Sequence, residues 1–536
     1  MKKFASSISR HQNSIVTNTT YHPSSNNAID SSTMLLTPGS VGISIVMALL
    51  FYKYCLYPSL FSPLAKLPNA HPLSPFTSIW FEKIRKNQKV CNTIYQAHRK
   101  HGCIVRLSPT EISVASLEGL RKIYIAGLEK TEWYVEEFMN YGTPNMVSMM
   151  DHQSHAAQKR ILSGVYAKSY IQNSPDIQVL SRAIICERFL PILENAANGA
   201  IPVDVLALSQ WAGSDFQTAY LFGLGRGSNF LQDKESRDQY FGRLGQFRST
   251  QSILNKSAKD DMLMKWCKCA AEDLSAGGLH IGDPGAKRTE AVVFEKLYQH
   301  LSMELSGGGK TGNGDVLTRC ASEMMDHLIA AQETTGITMT YVLWRMSQDS
   351  GLQARLRSEL LSLKPLIRPE GQNLQLPSAT SIDRLPLLNA VLYETLRLHA
   401  AAPNRQPRMV SSGGLMLHGY YIPPGTTVSS SAYTLHRSDE GFTNPLEWLP
   451  QRWLSDDSPR LRRWFWAFGS GGRMCIGSNF ALQVLKLMIA SIYTNYTTTI
   501  LDDEGIEQAD AVIAGPVGNK LILRFHKVSN KENFGP

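Results

Sequence analysis

The sequence predicts a mainly helical protein with small β-sheets, preceded by one apolar helix, and three observations predict it. Apolar residues between positions 117 and 300 recur mostly at helical spacing, and a longer pattern of the same kind runs from about Asp315 to Met346. Strand signals are confined to short runs bounded by turn residues, around 101–114, 407–431 and 515–525. Residues 34–52 are mostly apolar, and no charge lies between Asp30 and Lys53, a stretch about long enough to cross a bilayer core.

Each element can be justified in chain order. Residues 1–33 form a polar N-terminal segment, and 34–52 read as a retained transmembrane anchor. Near the helix, Lys53 and Lys66 follow the apolar stretch whereas the N-terminal flank offers only Asp30, so the positive-inside rule places the rest of the chain in the cytosol and Asn18, in an N-x-T sequon, in the lumen. The competing reading, a cleaved signal peptide, would have to begin after the polar segment, and no small-residue cleavage site precedes Lys53. Two further sequons, at Asn255 and Asn495, fall on the cytosolic side, so the motif alone decides little. Pro58, Pro63, Pro68, Pro72 and Pro75 make 53–78 a stiff connector and not an element interior. The folded domain, 79–536, starts near Ile79. Residues 101–114 alternate as a strand pair around a turn at Ser108 and Pro109. The helical region follows, then a glycine-rich break at 307–314, the long helix, and a helix from Pro386 to about His399. Short strands, a proline- and tryptophan-rich stretch to Phe468, a helix after Cys475 and a closing hairpin near 515–525 complete the chain.

Composition narrows the function classes. With 536 residues, 43% of them hydrophobic and 18% charged, the chain can bury one large core or two ordinary ones and is not disordered. The net charge of +9 is spread along the chain, so no nucleic-acid partner is expected. The eight cysteines are scattered without repeated CxxC pairs, which argues against a zinc module or a disulfide framework and for a reducing compartment.

The segment from Phe468 through Gly469, Gly471, Gly472, Arg473, Cys475 and Gly477, leading straight into a helical pattern, carries the chemistry. Four glycines allow a tight loop whose N–H groups converge on one sulfur, and a helix start behind it adds positive potential favouring the thiolate. The competing reading is a flexible turn with a buried structural cysteine. These residues match F-x-x-G-x-R-x-C-x-G, and the chain therefore resembles the cytochrome P-450 family of haem-thiolate monooxygenases, from the anchor to the C-terminal hairpin.

The resemblance implies the family's fold, haem b with Cys475 as the axial iron ligand, and Phe468 and Arg473 in the cofactor site, Arg473 pairing with a propionate. Ala330-Ala331-Gln332-Glu333-Thr334 is similar to the family's oxygen-activation signature, with Ala331 where glycine is more common, and implies catalytic roles for Glu333 and Thr334. On the residues alone, such a pair is as often a solvated face or a back-bonded hydroxyl. His155 and Lys159 share a helix face in a pattern running from about 152 to 167, at the spacing of the family's tryptophan and arginine, and with Arg408 they imply further propionate donors. Glu394 and Arg397, three apart on a helix, and Arg452 in Trp448-x-Pro450-x-Arg452 resemble the family's buried ionic cluster and are assigned to structure; their bland alternative is an exposed pair.

Gly309-Lys310-Thr311 ends like a phosphate-binding loop, but Glu304 occupies the position of the required glycine, and no strand-linked G-x-G-x-x-G is present. Electrons must then come from a partner, by resemblance NADPH-cytochrome P-450 reductase, with Arg460, Arg462 and Arg463 as part of a basic docking face. The resemblance implies a single-pass protein of the endoplasmic reticulum membrane that inserts oxygen from O2 into an apolar small molecule. Residues 132–134, 140–142, Asn145 and Tyr166 look like those of fungal microsomal members that tailor secondary metabolites. An O2-independent rearrangement or dehydration, or a tethered haem carrier or sensor, stand as rivals.

Overall fold

The computed structural model describes residues 38–245, 257–275, 291–306, 313–369 and 375–528. The polar segment 1–33 with Asn18, the first residues of the expected anchor, Asn255 and Gly309-Lys310-Thr311 lie outside the described residues.

The chain divides into two compact units, Met1–Lys53 and Tyr54–Pro536. Within the first, Pro38–Phe51 is helical. Val41–Phe61 is the one helical stretch, among the described residues, that is long and apolar enough to cross a membrane, and none of it is buried. The expected connector differs from its reading as a bare link. Tyr52–Phe61 continues as a helix of wide turns with Pro58 inside it. Leu64 and Leu67 are buried with Ile104, Ile112 and Val114. The reason lies in Arg106, fully buried, whose guanidinium donates to the carbonyls of Pro58 (2.8 Å), Ser108 (3.2 Å) and Pro109 (3.0 Å), binding the connector to the first strand turn.

The second unit is mainly helical with three small sheets. A five-stranded sheet has the order β1 (Ile104–Ser108), β2 (Glu111–Val114), β8 (Thr427–Ser429), β5 (Arg408–Met409) and β3 (Glu129–Lys130); β2 and β8 are parallel and the other pairs antiparallel. β6 (Leu415–Leu417) pairs with β7 (Tyr420–Ile422). The third sheet joins β4 (Val203–Asp204), β10 (Ile522–Lys527) and β9 (Tyr496–Asp502). The closing hairpin therefore begins earlier than the sequence reading placed it. Its first strand is the β-branched run directly after the helix Ser478–Asn495, and Gly515 lies in the long loop between the strands. Asn495 is itself buried, its amide donating to the carbonyls of Ile367 (2.9 Å) and Ser491 (2.8 Å), so that sequon is closed to modification in the folded chain.

The long helix, Asn313–Ser347, runs through the main apolar core and packs along Val205–Phe222. Gly336 makes the close crossing possible: a Cβ there would meet Gln210 Cγ at 2.6 Å. Behind it, Pro386–Leu398 presents Glu394 and Arg397, both fully buried. Arg397 grips Glu394 through two nitrogens (2.9 and 2.8 Å) and donates to the carbonyls of His436, Pro445 and Glu447 at 2.7 Å each. Arg452 Nε (3.0 Å), Trp453 Nε1 (2.9 Å) and the Leu449 N–H (2.8 Å) complete the Glu394 carboxylate. This cluster is no exposed helix pair; it ties the irregular stretch before the cysteine loop to the helix beneath it.

Candidate active site

Cys475 sits where the loop meets the helix Ser478–Asn495. The Cys475 N–H donates to Phe468 O (2.9 Å), closing the loop, and Gly471 adopts a φ of +70° with a Cβ position inside contact distance of the Tyr124 carbonyl, so only glycine fits there. The backbone N–H groups of Gly477 and Ser478 act on the sulfur and favour its thiolate, as does the Lys159 ammonium. Burial outweighs them and raises the thiol above its ordinary value, yet the side chain is exposed. Its free surface therefore faces a space deep inside the fold.

Five basic groups gather near this loop. Arg473 donates to Met149 O (2.8 Å) and to Met150 O, while its Nε is buried without a partner among the described residues. Burial, then Arg408, lowers Arg473 to about 10. Arg408 is buried, donates to Tyr134 Oη (2.6 Å) and packs its guanidinium over the rings of Tyr124 and Tyr134. Lys159 Nζ bridges the carbonyls of Gly472 (2.9 Å) and Met474 (2.6 Å) and so clamps the loop on either side of Arg473. His155, on the helix His152–Ser163 capped by Asp151 (2.8 Å to the Ser154 N–H), is buried, and burial plus the charge of Lys130 lowers it to about 3, which leaves a neutral ring. That helix ends four residues earlier than its sequence pattern suggests.

Lys130 escaped the sequence reading. It stands opposite Arg408 in the two-residue ladder of β3 and β5, buried, with Nζ donating to Val147 O (2.5 Å) and Met146 O (3.4 Å). Like charges directly opposed on a ladder are destabilising, and burying them deepens the cost. Desolvation, then Arg408 and Arg473, push the Lys130 ammonium well down.

The long helix carries the other sequence-predicted residues, Glu333 and Thr334. Ala330 is exposed although the helix around it lies in the core, and Thr334, one turn on, is half-buried. The Thr334 hydroxyl donates to Ala330 O (2.7 Å) and keeps its lone pairs as acceptors. Glu333 accepts from Gln210 Nε2 (3.0 Å) and Gln332 Nε2 (2.7 Å), and Tyr240 donates to Gln332 Oε1 (2.9 Å). Of the expected docking arginines, Arg460 is paired with Asp457 (2.6 Å) and Arg462 lies over the Tyr393 ring, while Arg463 is exposed.

Residues 300–522 match the family model described as Cytochrome P450. Over those residues the chain is similar to the cytochrome P450 family. It is 29% identical to the cytochrome P450 monooxygenase avaI of Aspergillus versicolor over 73% of this chain and 94% of that one. With the monooxygenase FGM1 of Gibberella zeae it shares 25% identity over 93% of this chain and 98% of the relative, and with the fusicoccadiene C-8 hydroxylase of Alternaria brassicicola 25% over 78% and 82%. As a cytochrome P450 monooxygenase it uses a haem-thiolate iron, O2, a small-molecule substrate and a redox partner.

The residues present fit that cofactor. The Cys475 sulfur, a buried Arg473 Nε without a partner among the described residues, the neutral His155 ring and the opposed bases Lys130 and Arg408 offer one soft ligand and a set of donors for carboxylates.

Proposed function

We propose that this cytochrome P450 is a membrane-anchored monooxygenase that oxidises an apolar small molecule, with Cys475 as the axial iron ligand. The observation that carries the assignment is the exposed Cys475 thiol, set at a helix start under the N–H groups of Gly477 and Ser478. Bound there, the haem supplies the activation of O2. Arg473, Arg408, His155 and Lys159, with Lys130 added, hold its carboxylates, and Phe468 packs beside the cysteine loop. Glu394, Arg397 and Arg452 keep the loop's foundation in place. The apolar helix supports a single anchor in the endoplasmic reticulum membrane with residues 79–536 on the cytosolic side, and electrons arrive from NADPH-cytochrome P-450 reductase. A relative named for hydroxylating fusicoccadiene supports a tailoring role in secondary metabolism.

Thr334 and Glu333 deliver protons. The Thr334 hydroxyl, fixed by its bond to Ala330 O, accepts a hydrogen bond from a water and so holds that water where its proton is needed. Glu333, oriented by two amides, links that point to the protein's outer proton supply. Thr334→Ala is therefore expected to keep NADPH consumption within about tenfold of the parent while product per NADPH falls and peroxide rises. Unchanged coupling would remove the relay assignment and favour either a substrate hydroxyl doing this work or the O2-independent rearrangement.

A further inference from the structure

Glu323 and Asp326 lie on the long helix upstream of Thr334, and the function described so far uses neither. Glu323 is committed within the protein: one oxygen accepts from the Met146 N–H (2.9 Å) and Gln158 Nε2 (3.2 Å), and the other faces His327 Nε2 at 3.3 Å. Asp326 differs, since it makes no hydrogen bond or ion pair among the described residues, though part of its surface is accessible. Burial first, then the charge of Glu323, push its carboxyl up to about 7 against the opposing pull of His327 and Lys130. A side chain that is both deep and accessible borders an interior space.

Helix geometry identifies that space. Asp326, Ala330 and Thr334 recur at four-residue steps, so they share one helix face, and eight residues at the helical rise separate Asp326 from Thr334 by about 12 Å. Ala330, between them, is exposed into the interior. The Asp326 charge also acts on the Cys475 thiol, in the direction that raises it.

We propose that Asp326 is a specificity-determining residue that anchors a cationic nitrogen of the substrate and directs a carbon remote from that nitrogen toward Thr334. A cation answers the observations better than a neutral donor does. Two carboxylates three residues apart build negative potential on this face, and Lys130, the nearby lysine, is engaged by the carbonyls of Met146 and Val147. An unpaired buried carboxylate is costly, and a positive partner relieves both that cost and the repulsion from Glu323, whereas a neutral donor adds one hydrogen bond. The substrate class is then an apolar molecule with one basic or quaternary nitrogen.

This inference rests on the monooxygenase reading, and its test separates the two. Purified full-length, haem-loaded protein is dialysed to equilibrium against 4-phenylbutyltrimethylammonium and, in parallel, against the uncharged isostere with carbon in place of nitrogen. The quaternary probe has no N–H and cannot ligate a metal, so a preference for it reports charge alone. The parent is expected to bind the cation at least about tenfold more tightly than the isostere, a modest requirement for a charge pair away from bulk water. Asp326→Asn is expected to abolish the preference while leaving isostere affinity within about twofold, and Asp326→Glu and Glu323→Gln to keep most of it. No preference in the parent, or a preference that survives Asp326→Asn, overturns the proposal, and the parent result stands even where the asparagine variant loads haem poorly. A wrong assignment of the thiolate site shows separately, in the carbon monoxide spectrum of the same preparation.

Discussion

Cys475→Ala is expected to abolish the thiolate-type carbon monoxide complex of the reduced protein completely. Cys475 is the one cysteine in the loop, the thioether of the neighbouring Met474 carries no thiolate charge, and the basic groups around the loop are ammonium, guanidinium and imidazole. The two cations cannot bind a metal at all, and the neutral His155 ring would give a nitrogen-ligand signature in place of a sulfur one. The change is local, because the Cys475 N–H that closes the loop on Phe468 O survives the substitution. Secondary structure is therefore retained while the spectrum changes class. A thiolate spectrum in the alanine variant would remove Cys475 as the ligand.

Arg397→Ala is expected to have the largest effect on stability. It strands the Glu394 carboxylate in a fully buried position with only Arg452 as countercharge, and it unpairs the carbonyls of His436, Pro445 and Glu447. Breaking a buried, hydrogen-bonded ion pair costs about 3–5 kcal/mol, a large part of the roughly 5–15 kcal/mol that separates folded from unfolded chains. Thermal unfolding and the ratio of haem to protein in purified material both read this loss. Trp448→Phe, which gives up one bond from the indole to Thr395 Oγ1 (3.2 Å), serves as the contrast at about 1 kcal/mol. An Arg397 variant as stable as the tryptophan variant would mean that the cluster is not what holds the stretch before the cysteine loop.

What the sequence disclosed follows from how local each feature is. The tight turn of the cysteine loop was legible from its glycines, and the Glu394–Arg397 pair from its spacing within one helix. The long helix was legible from its period, and the first strand pair from alternation and its Ser108-Pro109 turn. Lys130 was not, because a two-residue strand has no periodicity and only pairing with β5 sets it against Arg408. Asp326 was within reach, since counting back four and eight from Thr334 finds it, but a lone acid on a helix reads as solvated until its depth is known. The connector's packing depended on Arg106, some fifty residues away from Pro58 along the chain, which no local rule links to it. The hairpin was misplaced because glycines near Gly515 marked a loop, while the true first strand was hidden in the run that continues from the helix.

The most direct measurement of the central claim is the origin of the oxygen atom in the product. The full-length protein is expressed with its reductase in a host that makes candidate substrates, and the culture is exposed to isotopically labelled dioxygen before metabolites are resolved by mass. A haem-thiolate monooxygenase with Cys475 as ligand and Thr334 in the proton relay places one labelled atom in each turnover's product, and the Cys475→Ala strain makes none. A product that forms without label, or one that persists in the Cys475→Ala strain, would contradict the account.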